Sequence, residues 1–223
     1  MSDAKTKKVM AGEVLLLNWR LSFADLYQPG KPMRDQETGE MREGKFKANF
    51  LQEKGTANFK SENKKIQAAS HATKVKKYGE DEKKWPKYKP EKVFMRDGDL
   101  EDWDGYEGCI YISASTDEKP QLITRHKDSK GDWIEAKPGQ IYSGCYVNAL
   151  IQLWCQDNVH GKRLNARLKV VQFHAKGEAF SSSGPVDVNE KFGSIEEDDG
   201  EGMGALEDHS EGHDEDDDDD GLI

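Results

Sequence analysis

From Gln140 to Cys155 the chain reads QIYSGCYVNALIQLWC, and its alternation admits one kind of structure. Cys145, Val147, Ala149, Ile151 and Leu153 fall on every second residue, with Tyr146, Asn148, Gln152 and Trp154 between them. A period of two puts the two sets on opposite faces of an extended strand; a helix would scatter the same apolar residues around its circumference. Other segments repeat the pattern. In VLLLNWRLSF (14–23), Leu15, Leu17, Trp19, Leu21 and Phe23 share one face, with Trp19 assigned to the core, and Asn18, Arg20 and Ser22 share the other. Phe46, Ala48 and Phe50 alternate with Lys45, Lys47 and Asn49. Ile110, Ile112 and Ala114 point inward against Tyr111, Ser113 and Ser115. QLITRH is a short strand, and Ala166, Leu168 and Val170 alternate against Arg167, Lys169, Val171 and Phe173.

One segment breaks the rhythm. Between Lys60 and Gly79, the residues Ile66, Ala69 and Thr73 recur at helical spacing, with Ala72 and Lys76 adjoining, and Gly79 ends the run. The stretch that follows, rich in Pro, Gly and charge, reads as loop. Four or five strands, one inserted basic helix and no βαβ alternation predict a mainly β protein built on a small closed or nearly closed barrel.

The net charge of −10 conceals two populations. Of 43 acids, 15 lie in residues 194–223 with no Lys or Arg among them, while the other 28 share residues 1–193 with all 33 Lys and Arg, leaving that body at +5. The sequence therefore divides into a folded domain, 1–193, and an acidic tail, 194–223. The tail is too poor in branched and aromatic residues to offset the entropy of ordering, and is expected to be disordered. It ends DEDDDDDGLI. A basic body joined to an acidic block is the asymmetry of a protein that handles a polyanion. Cys109, Cys145 and Cys155 form no CxxC, no secretory signal is visible, and no apolar run approaches a membrane span, so a reducing, cytoplasmic setting is expected.

The faces turned away from the core carry Arg20, Lys45, Lys47, Tyr111, Tyr146, Trp154, Arg167, Lys169 and Phe173. Cations neutralise phosphates and release counterions, and aromatic rings stack on unpaired bases, so this mixture suits single-stranded nucleic acid. Tyr111, Tyr146 and Trp154 are the leading stacking candidates, with Arg20, Lys47, Arg167 and Lys169 on phosphates. Residues 44–96 carry a local +9, and within them Trp85 and Tyr88 either clamp a nucleic-acid strand or anchor their loop to the body. The acids of DGDLEDWD read as a turn. Counted from Asp97, the sixth and twelfth places of a calcium loop hold Asp102 and Gly108 instead of Gly and Glu. With no HxxxH, GxSxG or Gly-rich phosphate loop, nothing specifies an enzyme, a metal or a cofactor.

The segments GEVLLLNWRLSFADLYQP, MRDGD, YEGCIYISAS, IYSGCYVNALIQLW and LNARLKVVQFHAKGEAF resemble, in order, landmarks of the tailed-phage single-stranded DNA-binding proteins. The resemblance spans roughly residues 12–193. It implies a five-stranded OB-fold barrel that coats single-stranded DNA in phage replication and recombination, in the cytoplasm of the infected bacterium. It also implies that the tail, here Asp216, Asp217, Asp218, Asp219, Asp220, Leu222 and Ile223, engages phage or host replication proteins. Several members end on an aromatic; this chain ends on Leu222 and Ile223. Competition between tail and DNA for the basic face follows from the charge split. Two other classes remain open: an acidic-tailed chaperone for basic proteins, and a metal-dependent nuclease.

Overall fold

The alternating segments close on themselves. The computed structural model describes residues 12–34, 39–159 and 161–180. Its elements are β1 (Glu13–Asp25), β2 (Met33–Arg34), β3 (Met41–Arg42), β4 (Phe46–Glu53), α1 (Ala57–Tyr78), β5 (Met95–Asp97), β6 (Cys109–Thr116), β7 (Gln121–Lys127), β8 (Trp133–Glu135), β9 (Tyr146–Asn158) and β10 (Gly161–Ala175). Antiparallel pairs join β6 to β4, β4 to β1, β1 to β9 and β9 to β10. A short parallel pairing, Ala166 with Ala114 and Arg167 with Ser115, then closes β10 onto β6. The result is the expected OB-fold barrel of five strands. β5 extends the sheet beyond β6, β7 and β8 extend it beyond β10, and β2 and β3 form a separate ribbon in the loop between β1 and β4.

The barrel interior holds Leu16, Trp19, Leu21, Phe50, Ile112, Val147, Ile151, Leu168 and Val171, all fully buried. In β4, β6 and β9 the inward set is the alternating one. In β1 and β10 it is not, because bulges change the parity. The β1 register shifts between Leu16 and Trp19, with Asn18 at φ 57°, so Val14 and Leu16 point inward before the bulge and Trp19 and Leu21 after it. Leu15 and Leu17 are consequently exposed. A second shift between Ser22 and Asp25 centres on Phe23, which has φ 46° and an exposed ring. For a bulky side chain that backbone costs on the order of 1–3 kcal/mol. In β10 the shift between Leu168 and Val170 puts Val171, not Val170, in the core and draws Phe173 against it.

The helix is held at both ends. Thr56 accepts the Phe59 N–H at 3.2 Å, and Gly79, at φ 83°, donates its N–H to the Val75 carbonyl at 2.8 Å. Its buried stripe is Glu62, Ile66, Ser70 and Thr73, laid across β1 and β9. Glu62 secures the first β1 bulge: its carboxylate accepts the Leu17 N–H at 3.0 Å and the Trp19 indole N–H, while Asn58 donates to the Leu17 carbonyl at 3.2 Å. Among the described residues no helix is long and apolar enough to cross a membrane. The three cysteines are free, and burial pushes the Cys145 thiol up to about 11.

Candidate nucleic-acid interface

In OB-folds, oligonucleotides and oligosaccharides lie on the outer face of the second and third barrel strands, between the loop joining strands one and two and the loop joining strands four and five. Here those strands are β4 and β6, and the loops are residues 26–45 and the turn between β9 and β10. The register gathers side chains from three neighbouring strands there. Lys47 on β4 pairs with Ser115 on β6, and Ser115 pairs with Arg167 on β10. Strands lie about 4.8 Å apart, so this row sets Lys47 and Arg167 roughly 10 Å from each other with a small hydroxyl between them. Ser115 leaves the floor low and the cations as its walls.

Two confluent recesses occupy this face, of about 490 and 420 Å³, and both are lined by Arg42, Lys45 and Ser115. The first adds Trp154, Gln156, Arg163, Asn165 and Arg167; the second adds Lys31, Arg34, Lys47 and Ser113. Trp154 pairs across the β9–β10 hairpin with Asn165, is 41% exposed, and shares the lining of the first recess with Arg42, Arg163 and Arg167. Lys45 meets Asp117 at 3.0 Å and Lys47 meets Asp25 at 3.3 Å, both pairs well exposed. Exposed pairs of this kind contribute about 0–1 kcal/mol. A phosphate can therefore take either lysine at small cost. Among the described residues Arg167 makes no ion pair.

Four predicted residues, Lys45, Lys47, Trp154 and Arg167, thus line one groove. The others lie elsewhere. Tyr111 is a correction: it is 1% exposed and unavailable for stacking as it stands. Its outward parity is right, but the loop before β6 covers it. Tyr106 and Trp103 pack on its ring, at 5.1 and 6.0 Å between centroids, and its hydroxyl donates to Glu101. Burial first, and the Glu101 contact second, push its phenol up to about 12. Phe173 is also corrected, since the β10 bulge packs it against the core and beside Tyr142 in a separate recess.

Trp85 and Tyr88 pack beside α1. The Trp85 indole N–H donates to the Gly79 carbonyl at 2.9 Å, and the hydroxyls of Tyr88 and Tyr78 meet at 3.1 Å. Neither lines the groove. Arg20 stacks on Phe180, 4.0 Å from the ring centroid, and donates to the Glu178 carbonyl at 3.0 Å. Tyr146 is half-buried near it, and both border a recess below Leu51 and Gln52. Lys169 pairs with Glu13 at 3.1 Å, away from the groove. The tail residues Asp216 to Asp220, Leu222 and Ile223 lie outside the described residues.

The acidic motif is a clamp. Asp97 and Asp99 both hold the ammonium of Lys54, in the turn just after β4, while Asp99 also accepts the Gly108 N–H at 2.6 Å. The Lys54 contacts hold both carboxyls below the usual aspartate range. Among the described residues, no group of three or more His, Cys, Asp and Glu is placed to hold a metal ion. Between the two aspartates, Gly98 passes so close to the neighbouring backbone that a Cβ would stand 2.3 Å from the Tyr106 carbonyl oxygen. Sequence reasoning overlooked Lys31, Arg34, Arg42 and Arg163. Their signal was present in the basic loop ahead of β4 and at the start of β10, once the fold's binding face is considered.

Comparison with known proteins places the chain in a family. Residues 12–219 match the family model described as Enterobacter phage Enc34, ssDNA-binding protein. The chain is 35% identical over 182 residues to "Putative protein p50" of Acyrthosiphon pisum secondary endosymbiont phage 1, spanning 80% of this chain and 91% of that one. Among solved structures, it is similar to the single-stranded DNA-binding protein from bacteriophage Enc34 in complex with ssDNA. That match has 27% identity and a TM-score of 0.60, covering 77% of this chain and 90% of the other. A second structure of the bacteriophage Enc34 single-stranded DNA-binding protein matches with 26% identity and a TM-score of 0.59, covering 82% of this chain and 91% of the other.

Proposed function

Because the chain belongs to the phage single-stranded DNA-binding protein family, with residues 12–219 matched, we propose that it binds single-stranded DNA without sequence preference in the groove over β4, β6 and β10. The observation that carries this reading is the row Lys47–Ser115–Arg167, flanked by Trp154. Three barrel strands set cations about a strand spacing or two apart around a floor of small side chains, with an exposed indole beside them. Phosphates replace Asp25 and Asp117 on the lysines, and a base stacks on Trp154. Phosphate contacts and stacking on an indole carry no base identity, which accords with sequence tolerance. The solved ssDNA complex of the bacteriophage Enc34 relative supports the same ligand class.

The role that follows is sequestration rather than catalysis: coating unpaired DNA during phage replication and recombination in the cytoplasm of the infected bacterium. Residues 1–193 form the binding body. The segment 194–223, with 15 acids and no cation, competes with DNA for the groove and engages replication proteins when DNA displaces it. Titration with oligo-dT and an equal-length duplex, following tryptophan fluorescence against salt, tests both parts. Oligo-dT is expected to quench strongly. Arg167→Ala is expected to shallow the log–log salt slope by about 0.7, the share of one phosphate on single strands. A chain ending at Gly193 is expected to bind more tightly at low salt. Equal affinity for both DNAs would leave only generic polyanion binding, and an unchanged affinity on truncation would remove the competition.

A further inference from the structure

The geometry points to a second base-binding subsite outside the groove, a stacking platform made by Phe23 and Trp103; this rests on the single-stranded DNA reading above and extends it. Phe23 and Trp103 are 49% and 40% exposed, and their rings meet edge to face at 5.1 Å. The two exposed rings are contiguous, the arrangement that marks an interaction surface more than a lone exposed residue does, and one of them is exposed by a strained device. Phe23 sits at φ 46° in a β1 bulge that turns the ring out of the barrel. The ring's partners are the aromatics outside the barrel, Trp103 and Tyr106, and not the barrel core.

The platform is rigid from below. Trp103 stands on Tyr106 at 5.0 Å and Tyr111 at 6.0 Å, both of them buried, and Phe23 also contacts Tyr106 at 6.0 Å. The Tyr106 hydroxyl accepts from Asn49 on β4 at 2.8 Å, which fixes this aromatic stack to the floor of the binding face. The loop bearing Trp103 is tied at its base to the turn after β4 by the Lys54 clamp. Such preorganisation lowers the ordering cost that a flexible aromatic would incur on binding.

The platform also continues the groove. Asp25, two residues beyond Phe23, pairs with Lys47 at 3.3 Å, and Lys47 and Asn49 alternate on the same face of β4. A strand of DNA whose phosphates occupy Lys45 and Lys47 therefore reaches the platform with its next bases. The ligand is an unpaired base, any of the four, presented by its π-face.

The test uses the full chain and oligo-dT, with an abasic phosphodiester oligomer of equal length as the second probe. Phe23→Leu and Trp103→Leu keep apolar bulk and remove the rings, and Phe23→Tyr restores an aromatic. Each leucine variant is expected to weaken oligo-dT binding by roughly 5- to 150-fold, the loss of one stacked base. The salt slope should stay unchanged, since no phosphate contact is removed. Binding of the abasic oligomer should match wild type, and Phe23→Tyr should bind oligo-dT as wild type does. Wild-type affinity of both leucine variants for oligo-dT overturns the platform and assigns the rings to another partner. An equal loss on oligo-dT and the abasic oligomer also overturns it, because a structural defect weakens both. Arg167→Ala keeps the two readings apart: if it lowers the salt slope while the leucine variants do nothing, only the platform fails. If wild type shows no preference for oligo-dT over duplex, the groove reading fails and the platform falls with it.

Discussion

Removing the Glu62 carboxylate tests the claim that α1 fixes the register of β1. Glu62 is 3% exposed and serves two donors, the Leu17 N–H at 3.0 Å and the indole N–H of the fully buried Trp19. Glu62→Ala leaves both without an acceptor. Each unsatisfied buried donor costs about 1–3 kcal/mol, so the loss should be roughly 2–6 kcal/mol, a large part of a typical domain's 5–15 kcal/mol. Glu62→Gln keeps one acceptor and should cost about half as much. The two substitutions also differ with pH. Burial pushes the Glu62 carboxyl above its ordinary value of 4.5, outweighing the hydrogen bonds from Trp19 and Leu17. The folded state therefore binds this proton more tightly than the unfolded chain. Stability from this group rises as pH falls through the raised pKa toward 4.5, and the advantage of wild type over Glu62→Gln widens in that window. Urea melts at several pH values, at constant ionic strength, read both effects. A Glu62→Ala midpoint within about 0.5 kcal/mol of wild type, the range of an ordinary surface change, would refute the reasoning and leave the bulge to β1 itself.

Two further outcomes follow from the loop that carries Trp103. Gly98→Ala places a Cβ 2.3 Å from the Tyr106 carbonyl oxygen and 2.8 Å from that of Cys109, both backbone atoms. It is expected to lower the thermal midpoint and weaken oligo-dT binding together, and a variant normal in both would show that the loop gives way freely. Asp97 and Asp99 titrate below their ordinary 3.8 because Lys54 holds them. Their support of the loop is complete above 3.8 and is lost as pH falls through the lowered values. The thermal midpoint of Asp97→Asn should lie below wild type at neutral pH and converge with it in acid, and a constant gap would count against the clamp.

How much of this was legible depends on where the backbone obeys a period of two. β9 does so as far as Leu153: Cys145 just ahead of it and its inward Val147, Ala149, Ile151 and Leu153 are all buried. β4 and β6 behave the same way, because each pairs along its whole length with a regular neighbour. Parity thus turned Lys45, Lys47, Trp154 and Arg167 outward, and all four are exposed. It failed for Leu15 and Leu17 beyond the Glu62-bound bulge, and for Phe173 beyond the β10 shift, since one extra residue exchanges the two faces. Tyr111 failed differently. Its strand direction was right, but what covers a strand face is tertiary information, and alternation within β6 carries no trace of the loop that folds back over it.

The departures from alternation are not scattered at random. The β1 irregularity at Phe23 does two things with one residue: it turns an aromatic ring outward, and it brings Asp25 opposite Lys47. A regular strand cannot place both on the binding face in this way, because Phe23 and Asp25 would share the parity of Leu21, which belongs to the core. The strain at Phe23 is therefore coupled to the position of a groove cation. Natural sequences break a local rule mainly where function repays the cost, and here the break lies at the junction of the cationic row and the aromatic stack. A reader of the sequence sees only a phenylalanine in phase with Trp19 and Leu21 and assigns it to the interior. The physical signal that it belongs outside is the positive φ, which exists only once Glu62 and the β4 register have fixed the rest of the strand.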